Sequence, residues 1–150
     1  MTEATGTMRE ATGTGRQATG TGAALSEEDV RLLTGRNVAH LATLTPDGSP
    51  HVSPVWVDVR EGRILVNTAA GRVKERNVRR DPRVALSVHD RERPNVALVV
   101  RGRVARLTEE GGLAHIDRLS RRYDGVPWTP VSDQRRVIIE IVPERVSRHA

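Results

Sequence analysis

The 150-residue chain has no cysteine and no phenylalanine, and Lys74 is its only lysine. Without cysteine there is no disulfide framework, no thiolate nucleophile and no cysteine-ligated zinc or iron–sulfur site. Aromatic residues make up 2% of the chain, namely Trp56, Trp128 and Tyr123. The core must therefore be built from Val, Leu, Ile and Ala, and β-branched Val points to sheet. The longest apolar run is Val96 to Val100, far short of a bilayer span. No charged start followed by an apolar stretch opens the chain, so no secretory signal is read; a cytoplasmic protein without a membrane partner is expected. The formal net charge is +5 and the pI is near 11.0. Because the basic residues are almost all Arg, this skew is weak evidence about partners, and no nucleic-acid partner is predicted.

What is present divides into two parts. Residues 1–24 hold a seven-residue repeat, Glu3 to Arg9, Glu10 to Arg16 and Gln17 to Ala23, rich in Ala, Thr and Gly. A heptad without an apolar a/d pair is no coiled coil. It buries too little surface to offset ordering entropy and is expected to be disordered and to add nothing to stability. Residues 25–150 are expected to form one domain.

Ser26 followed by Asp29 has the spacing of a capping box, and predicts a short helix over Glu27 to Thr34. The period then changes to two. Val38 to Leu44, His51 to Val59 and Arg63 to Thr68 read as strands, joined by the turn signals Thr45-Pro46-Asp47-Gly48 and Glu61-Gly62. Three strands with short turns predict an antiparallel meander. Gly71 to Arg80 reads as a short helix stopped by Asp81-Pro82. Strands follow at Val84 to His89 and Val96 to Leu107, the second interrupted by Gly102 at an expected bulge or bend. Leu113, Ile116, Leu119 and Tyr123 trace one helical face, and Val137 to Val142 supplies a last strand. About six antiparallel strands with short peripheral helices imply a mainly β (α+β) small barrel.

Most catalytic patterns are missing. His40, His51, His89, His115 and His149 sit at no metal-ligand spacing, although His40 and His51 could face each other across the first hairpin; no metal site is predicted. There is no G-x-S-x-G elbow. The glycines between Gly13 and Gly22 follow no strand, so they form no phosphate loop. One segment stands out. From Arg72 to Arg83 there are six basic residues against Glu75 and Asp81. A strand end feeding a helix N-terminus offers free N–H groups and a positive dipole end, which suits a phosphate. Arg72 and Lys74 are placed to clasp it from two sides. A solvated basic helix accounts for the segment equally well.

Leu41-Ala-Thr-Leu-Thr-Pro-Asp-Gly-Ser-Pro-His51-Val-Ser-Pro-Val-Trp56-Val, Ile64-Leu-Val-Asn-Thr68, Arg72-Val-Lys-Glu-Arg-Asn77 and Arg80-Asp-Pro-Arg-Val84 together resemble the pyridoxamine-phosphate-oxidase-like split β-barrel flavoproteins. Within that superfamily the chain is most similar to oxidoreductases that use the deazaflavin coenzyme F420. The match runs from about Leu25 to Val146 and includes Val100-Arg-Gly-Arg-Val104 and the His115 to Gly125 segment; the repeat has no counterpart in it.

The resemblance implies a six-stranded antiparallel split β-barrel, a homodimer with cofactor sites at the subunit interface, and hydride transfer between F420 and a small organic acceptor. It places the cofactor phosphate on Arg72 and Lys74, with Asn67 and Thr68 beside the phosphate and ribityl chain. Ser53, Pro54, Val55 and Trp56 would line the ring. FMN shares the ribityl phosphate, so an FMN enzyme on the same barrel is an alternative, as is a non-catalytic cofactor- or haem-binding protein. Because such a cofactor carries the redox chemistry, no catalytic triad is required. Tyr123 and His51 are candidate proton donors.

Overall fold

The computed structural model describes residues 23–150; the heptad repeat up to residue 22 lies outside the described residues. Ala23, the last residue of the repeat, donates its N–H to the carbonyl of Pro143 at 2.8 Å. The first helix, α1 (Glu27–Thr34), begins at a capping box. Ser26 Oγ accepts from the Asp29 N–H at 3.1 Å, and Asp29 Oδ2 accepts from the Ser26 N–H at 2.9 Å. Two donors that a helix start leaves unpaired are satisfied reciprocally.

The strands are β1 (Ala39–Leu44), β2 (Pro50–Val55), β3 (Val57–Arg60), β4 (Arg63–Ala69), β5 (Arg83–His89), β6 (Ala97–Thr108) and β7 (Arg136–His149); the remaining helices are α2 (Val73–Arg80) and α3 (Gly112–Tyr123). The sheet is antiparallel, in the order β2-β1-β5-β6-β7-β4-β3. There are seven strands rather than six, because the expected His51 to Val59 strand breaks at Trp56. Val55 pairs with Ala39 of β1, whereas Val57 pairs with Val66 of β4. One residue thus joins the two edges of the sheet, and the expected meander is two separate hairpins. The result is a curled sheet whose edges meet at Trp56 and diverge from it, a split β-barrel.

Alternation sorts the side chains. Leu41, Val55, Val57, Ile64, Val66, Leu86, Val100, Ile139 and Ile141 form the barrel core, which also takes Leu33 of α1 and Val78 of α2. The opposite face of β3, β4 and β7 is covered by α3, where Ile116, Leu119 and Tyr123 pack with Trp56 and Trp128. Leu113, expected on that stripe, is instead 52% exposed; the buried face of α3 runs through Gly112, His115, Ile116, Leu119, Ser120 and Tyr123, and Leu113 lies to one side of it. Gly102 marks the expected irregularity, with a register shift between Arg101 and Gly102. The last strand runs on past Val142 to His149, pairing Arg145 with Arg101 and His149 with Ala97. No helix among the described residues is long and apolar enough to cross a membrane.

Candidate functional site

Among the described residues, the split is bounded by two stretches of backbone that are paired on one side only. β2 is an edge strand. β3 begins at Val57, opposite Val66, so Asn67, Thr68 and Ala69 of β4 extend past it. Helix α2 leaves the end of β4 and crosses to β1, where Asn77 Nδ2 donates to Thr43 Oγ1 at 3.0 Å and Arg80 Nη2 to the Leu44 carbonyl at 2.6 Å. Its start is set by Gly71, whose φ of 89° lies in the left-handed region that a side chain disfavours. The Gly71 N–H donates to Glu75 Oε1 at 2.8 Å. Arg79 pairs with Glu75 and Arg76 with the Gly71 carbonyl. Three of the basic residues of this segment, Arg76, Arg79 and Arg80, are therefore occupied in holding the helix. Arg83 is paired with Asp81 at 2.7 Å.

Arg72 and Lys74 are not. Among the described residues neither has a carboxylate partner within 4.0 Å. Arg72 is the exposed N-cap of α2, and Lys74 is half-buried in its first turn. Burial, then the positive charges of Arg72 and Arg136, hold the Lys74 ammonium below its ordinary value. The strand that supplies Arg136 pairs it with Ala69, three residues before Arg72. Burial, then Arg72, push Arg136 down to about 10, so it stays charged at neutral pH. Three cations that act on one another therefore have no carboxylate within 4.0 Å among the described residues. Such an arrangement is unfavourable by itself and is relieved by an anion.

Of the other anticipated residues, Ser53 and Val55 face the barrel interior with Leu41 and Ala39, while Pro54 is exposed on the outer face. Val55 belongs to the core. Trp56 stacks on Tyr123, with centroids 5.2 Å apart and planes 7° from parallel. Thr68 points inward and Asn67 outward toward α3, where its Nδ2 donates to the Gly112 carbonyl at 2.9 Å. Three buried polar atoms near the split have no hydrogen-bond partner in the described chain: His51 Nδ1 and Ser53 Oγ on β2, and Thr68 Oγ1 on β4. A buried polar group left unpaired costs about 1–3 kcal/mol, so each calls for a ligand atom or water.

Two sequence expectations are corrected. His40 and His51 cannot form a pair: the register places His40 beside Pro54 and His51 beside Thr43, on opposite faces. No cluster of three possible metal ligands occurs among the described residues. Tyr123 is no free proton donor. Its hydroxyl donates to the Asn37 carbonyl at 2.8 Å and accepts from the Val57 N–H at 3.2 Å, and burial raises its pKa. Tyr123→Phe is expected to lower stability by about 1–3 kcal/mol through those two unpaired groups, seen as a lower Tm, with any activity of the protein retained. A loss of turnover in a variant that melts normally would reinstate Tyr123 as a donor.

Beside Tyr123 lies a buried polar group that no sequence spacing announces. Asp58 Oδ1 accepts from Arg122 Nη2 at 2.9 Å, and Asp58 Oδ2 lies 3.4 Å from His115 Nε2. His115 is 0% exposed. Burial raises the Asp58 carboxyl, but His115 and Arg122 outweigh it and hold the group well below its ordinary value. A carboxyl whose folded pKa is depressed contributes stability that is complete above its unfolded value of 3.8 and is lost as pH falls below it. The melting temperature is expected to be nearly level from pH 7 to pH 5 and to drop below about pH 4. Asp58→Asn should be less stable at neutral pH and should flatten that drop.

Comparison with known proteins follows the same lines. Residues 25–150 match the family described as pyridoxamine 5'-phosphate oxidase. The chain is similar to a solved F420 reductase, with 34% identity and a TM-score of 0.73, covering 82% of this chain and 98% of that one. It is also similar to a conserved hypothetical protein from Mycobacterium tuberculosis, at 29% identity and TM-score 0.66, covering 83% and 84%. General Stress Protein 26 from Bacillus anthracis, at 17% identity and TM-score 0.61 over 79% and 88%, shares the fold. With most of its length matched and the split barrel formed, the chain belongs to the pyridoxamine 5'-phosphate oxidase family.

Proposed function

We propose that this protein is an oxidoreductase that binds coenzyme F420 and transfers a hydride between it and a small organic acceptor. One observation carries the reading: Arg72 and Lys74 lie at the start of α2, just past the end of β4, with no carboxylate partner among the described residues, and Arg136 adds to their charge. A phosphate supplies the missing negative charge. The orphaned Ser53 Oγ, Thr68 Oγ1 and His51 Nδ1 fit the polar edge and hydroxylated chain of a flavin-type group. The likeness to an F420 reductase supports the deazaflavin over other cofactors.

When bound, a flavin or deazaflavin supplies the hydride chemistry itself. The chain's own residues bind and orient. Arg72 and Lys74 hold the phosphate, Thr68 and Ser53 offer hydroxyls from the two sides of the split, and the Val55 to Val57 junction closes the far end against water. Asn67 acts from behind the strand rather than on the cofactor. Pro54, turned outward, reaches a ring only across a subunit interface, as the proposed homodimer would allow. His51 Nδ1, buried and unpaired, is the residue best placed to hold a proton near the ring.

Titration with F420 and with FMN, followed by fluorescence, tests the reading. Saturable F420 binding tighter than FMN binding is expected, with acceptor reduction by the reduced cofactor. Tighter FMN binding, or a yellow protein as purified, would favour the FMN enzyme; F420 binding with no turnover for any acceptor would favour a carrier. Light scattering at micromolar concentration checks the dimer.

A further inference from the structure

Arg136 is fixed in a way that structural arginines of this fold are not. Arg122 is paired with Asp58 and Arg148 with Asp29, each at carboxylate distance. Arg136 has no such partner among the described residues. Its Nε donates to Asn67 Oδ1 at 2.9 Å and its Nη1 to Gln134 Oε1 at 2.9 Å, both neutral acceptors. Its Cζ lies 4.9 Å from the centroid of the Trp128 ring. An arginine held by neutral oxygens and an indole face is oriented without its charge being offset, and Arg136 Nη2 has no hydrogen-bond partner among the described residues.

The backbone delivers that group to the phosphate-binding segment. Arg136 lies opposite Ala69, and the Ala70 N–H donates to the Arg135 carbonyl at 2.8 Å, so the start of β7 is stitched to the chain entering α2. Asn67, on the same face as Arg136, is itself clamped. Arg136 can only donate and the Gly112 carbonyl can only accept, which sets the orientation of the Asn67 amide. Its Nδ2 then faces His115 Nδ1 at 3.0 Å, placing the ring proton on Nε2, toward Asp58. A polar chain thus runs Arg136–Asn67–His115–Asp58–Arg122 behind the sheet, buried at His115 and Asp58 and partly exposed at the others. Gly112 completes the clamp, since a Cβ there would approach the Arg136 carbonyl to under 3.0 Å.

We infer that Arg136 is the third cation of the phosphate site and that Asn67 is a positioning residue that aims it. The ligand group is a phosphoryl oxygen of the cofactor, and the inference rests on the phosphate reading of Arg72 and Lys74.

The test compares ligands with and without phosphate. Dissociation constants for FMN, F420 and riboflavin are measured by fluorescence for the wild type, Arg136→Ala, Asn67→Ala and the double variant. Arg136→Ala is expected to weaken whichever phosphate-bearing cofactor binds by about 10- to 100-fold, with riboflavin unchanged. Asn67→Ala should cost less, again only for phosphate-bearing ligands, and nothing further on the Arg136→Ala background. Equal loss for FMN and riboflavin would mean general loosening and overturn the assignment, as would wild-type affinity in Arg136→Ala. Should Asn67→Ala fail to fold, Arg136→Lys takes its place: it keeps the charge, loses the Asn67 contact, and should show part of the loss. If the wild type binds neither cofactor, the proposed function falls. Titration with pyrophosphate, read by tryptophan fluorescence, then decides the anion site alone: quenching in the wild type and none in Arg136→Ala sustains it, and equal responses end it.

Discussion

Lys74→Ala is expected to weaken cofactor binding about 10- to 150-fold, corresponding to roughly 1.5–3 kcal/mol for a hydrogen bond to a charged group. Turnover at saturating cofactor should change much less, because the phosphate is remote from the ring. The reason lies in the free protein. Lys74 is half-buried, and burial first, then the charges of Arg72 and Arg136, hold its ammonium below its ordinary value. Anion binding relieves that repulsion, so Lys74 contributes more than a solvated lysine would. Arg72→Ala should cost less, since Arg72 is exposed at the N-cap. The proper control is Arg91→Ala, an exposed charge beyond the far end of β5. Arg79→Ala is a poor one, because Arg79 holds the Glu75 carboxylate that anchors Gly71. Isothermal titration of the three variants decides the matter: if Lys74→Ala and Arg91→Ala bind alike, the phosphate lies elsewhere.

Gly102→Ala should be among the most destabilising single-methyl changes in the barrel. Gly102 sits in β6 between Val84 and Pro143, where the ladder shifts register. A Cβ there would approach the Val142 carbonyl to under 3.0 Å and the Ile141 Cγ2 to 3.2 Å. The first obstacle is backbone, not the end of a flexible side chain, so β6 and β7 must separate. Overpacking of this kind costs about 3 kcal/mol, or roughly 10 °C in Tm for a domain of this size. Gly48→Ala makes the contrast. Its φ of 86° disfavours a side chain, but no atom of the described residues lies within 4 Å of the added methyl. Its cost should be limited to about 1 kcal/mol of local backbone strain. Equal melting temperatures for the two variants would refute the close approach.

How far the fold could be read from residues depended on whether a signal was local. The capping box at Ser26 and Asp29 set α1 to the residue, because both partners lie within one turn. The irregularity at Gly102 was legible because glycine inside an apolar alternation has few other uses. The break at Trp56 was not. Val55, Val57 and Val59 continue the alternation through it, and what changes is the strand that accepts the hydrogen bonds, which no pattern of polarity records. The same limit applies to the site. Arg72 and Lys74 are close in sequence and were found together. Arg136 reaches them through the pairing of β4 with β7 and looks, in the chain, like one more arginine before a strand. His115 reads as a surface residue on a helix and is buried because Asn67 and Asp58 meet it from two strands.

The position of β2 has one more consequence, for self-association. An edge strand exposes a row of backbone groups on which another chain can extend the sheet. In β2, Pro50 and Pro54 occupy alternate positions with Val52 between them. Proline is tolerated in a ladder where its nitrogen faces away from the paired strand, so these three residues present the free edge. Only Val52 has an N–H to offer there. A neighbouring molecule aligning along β2 would find one donor where an ordinary strand presents three. The free edge at β2 is thereby a poor template for intermolecular sheet growth, and a second copy meeting this edge would have to approach through side-chain surface instead.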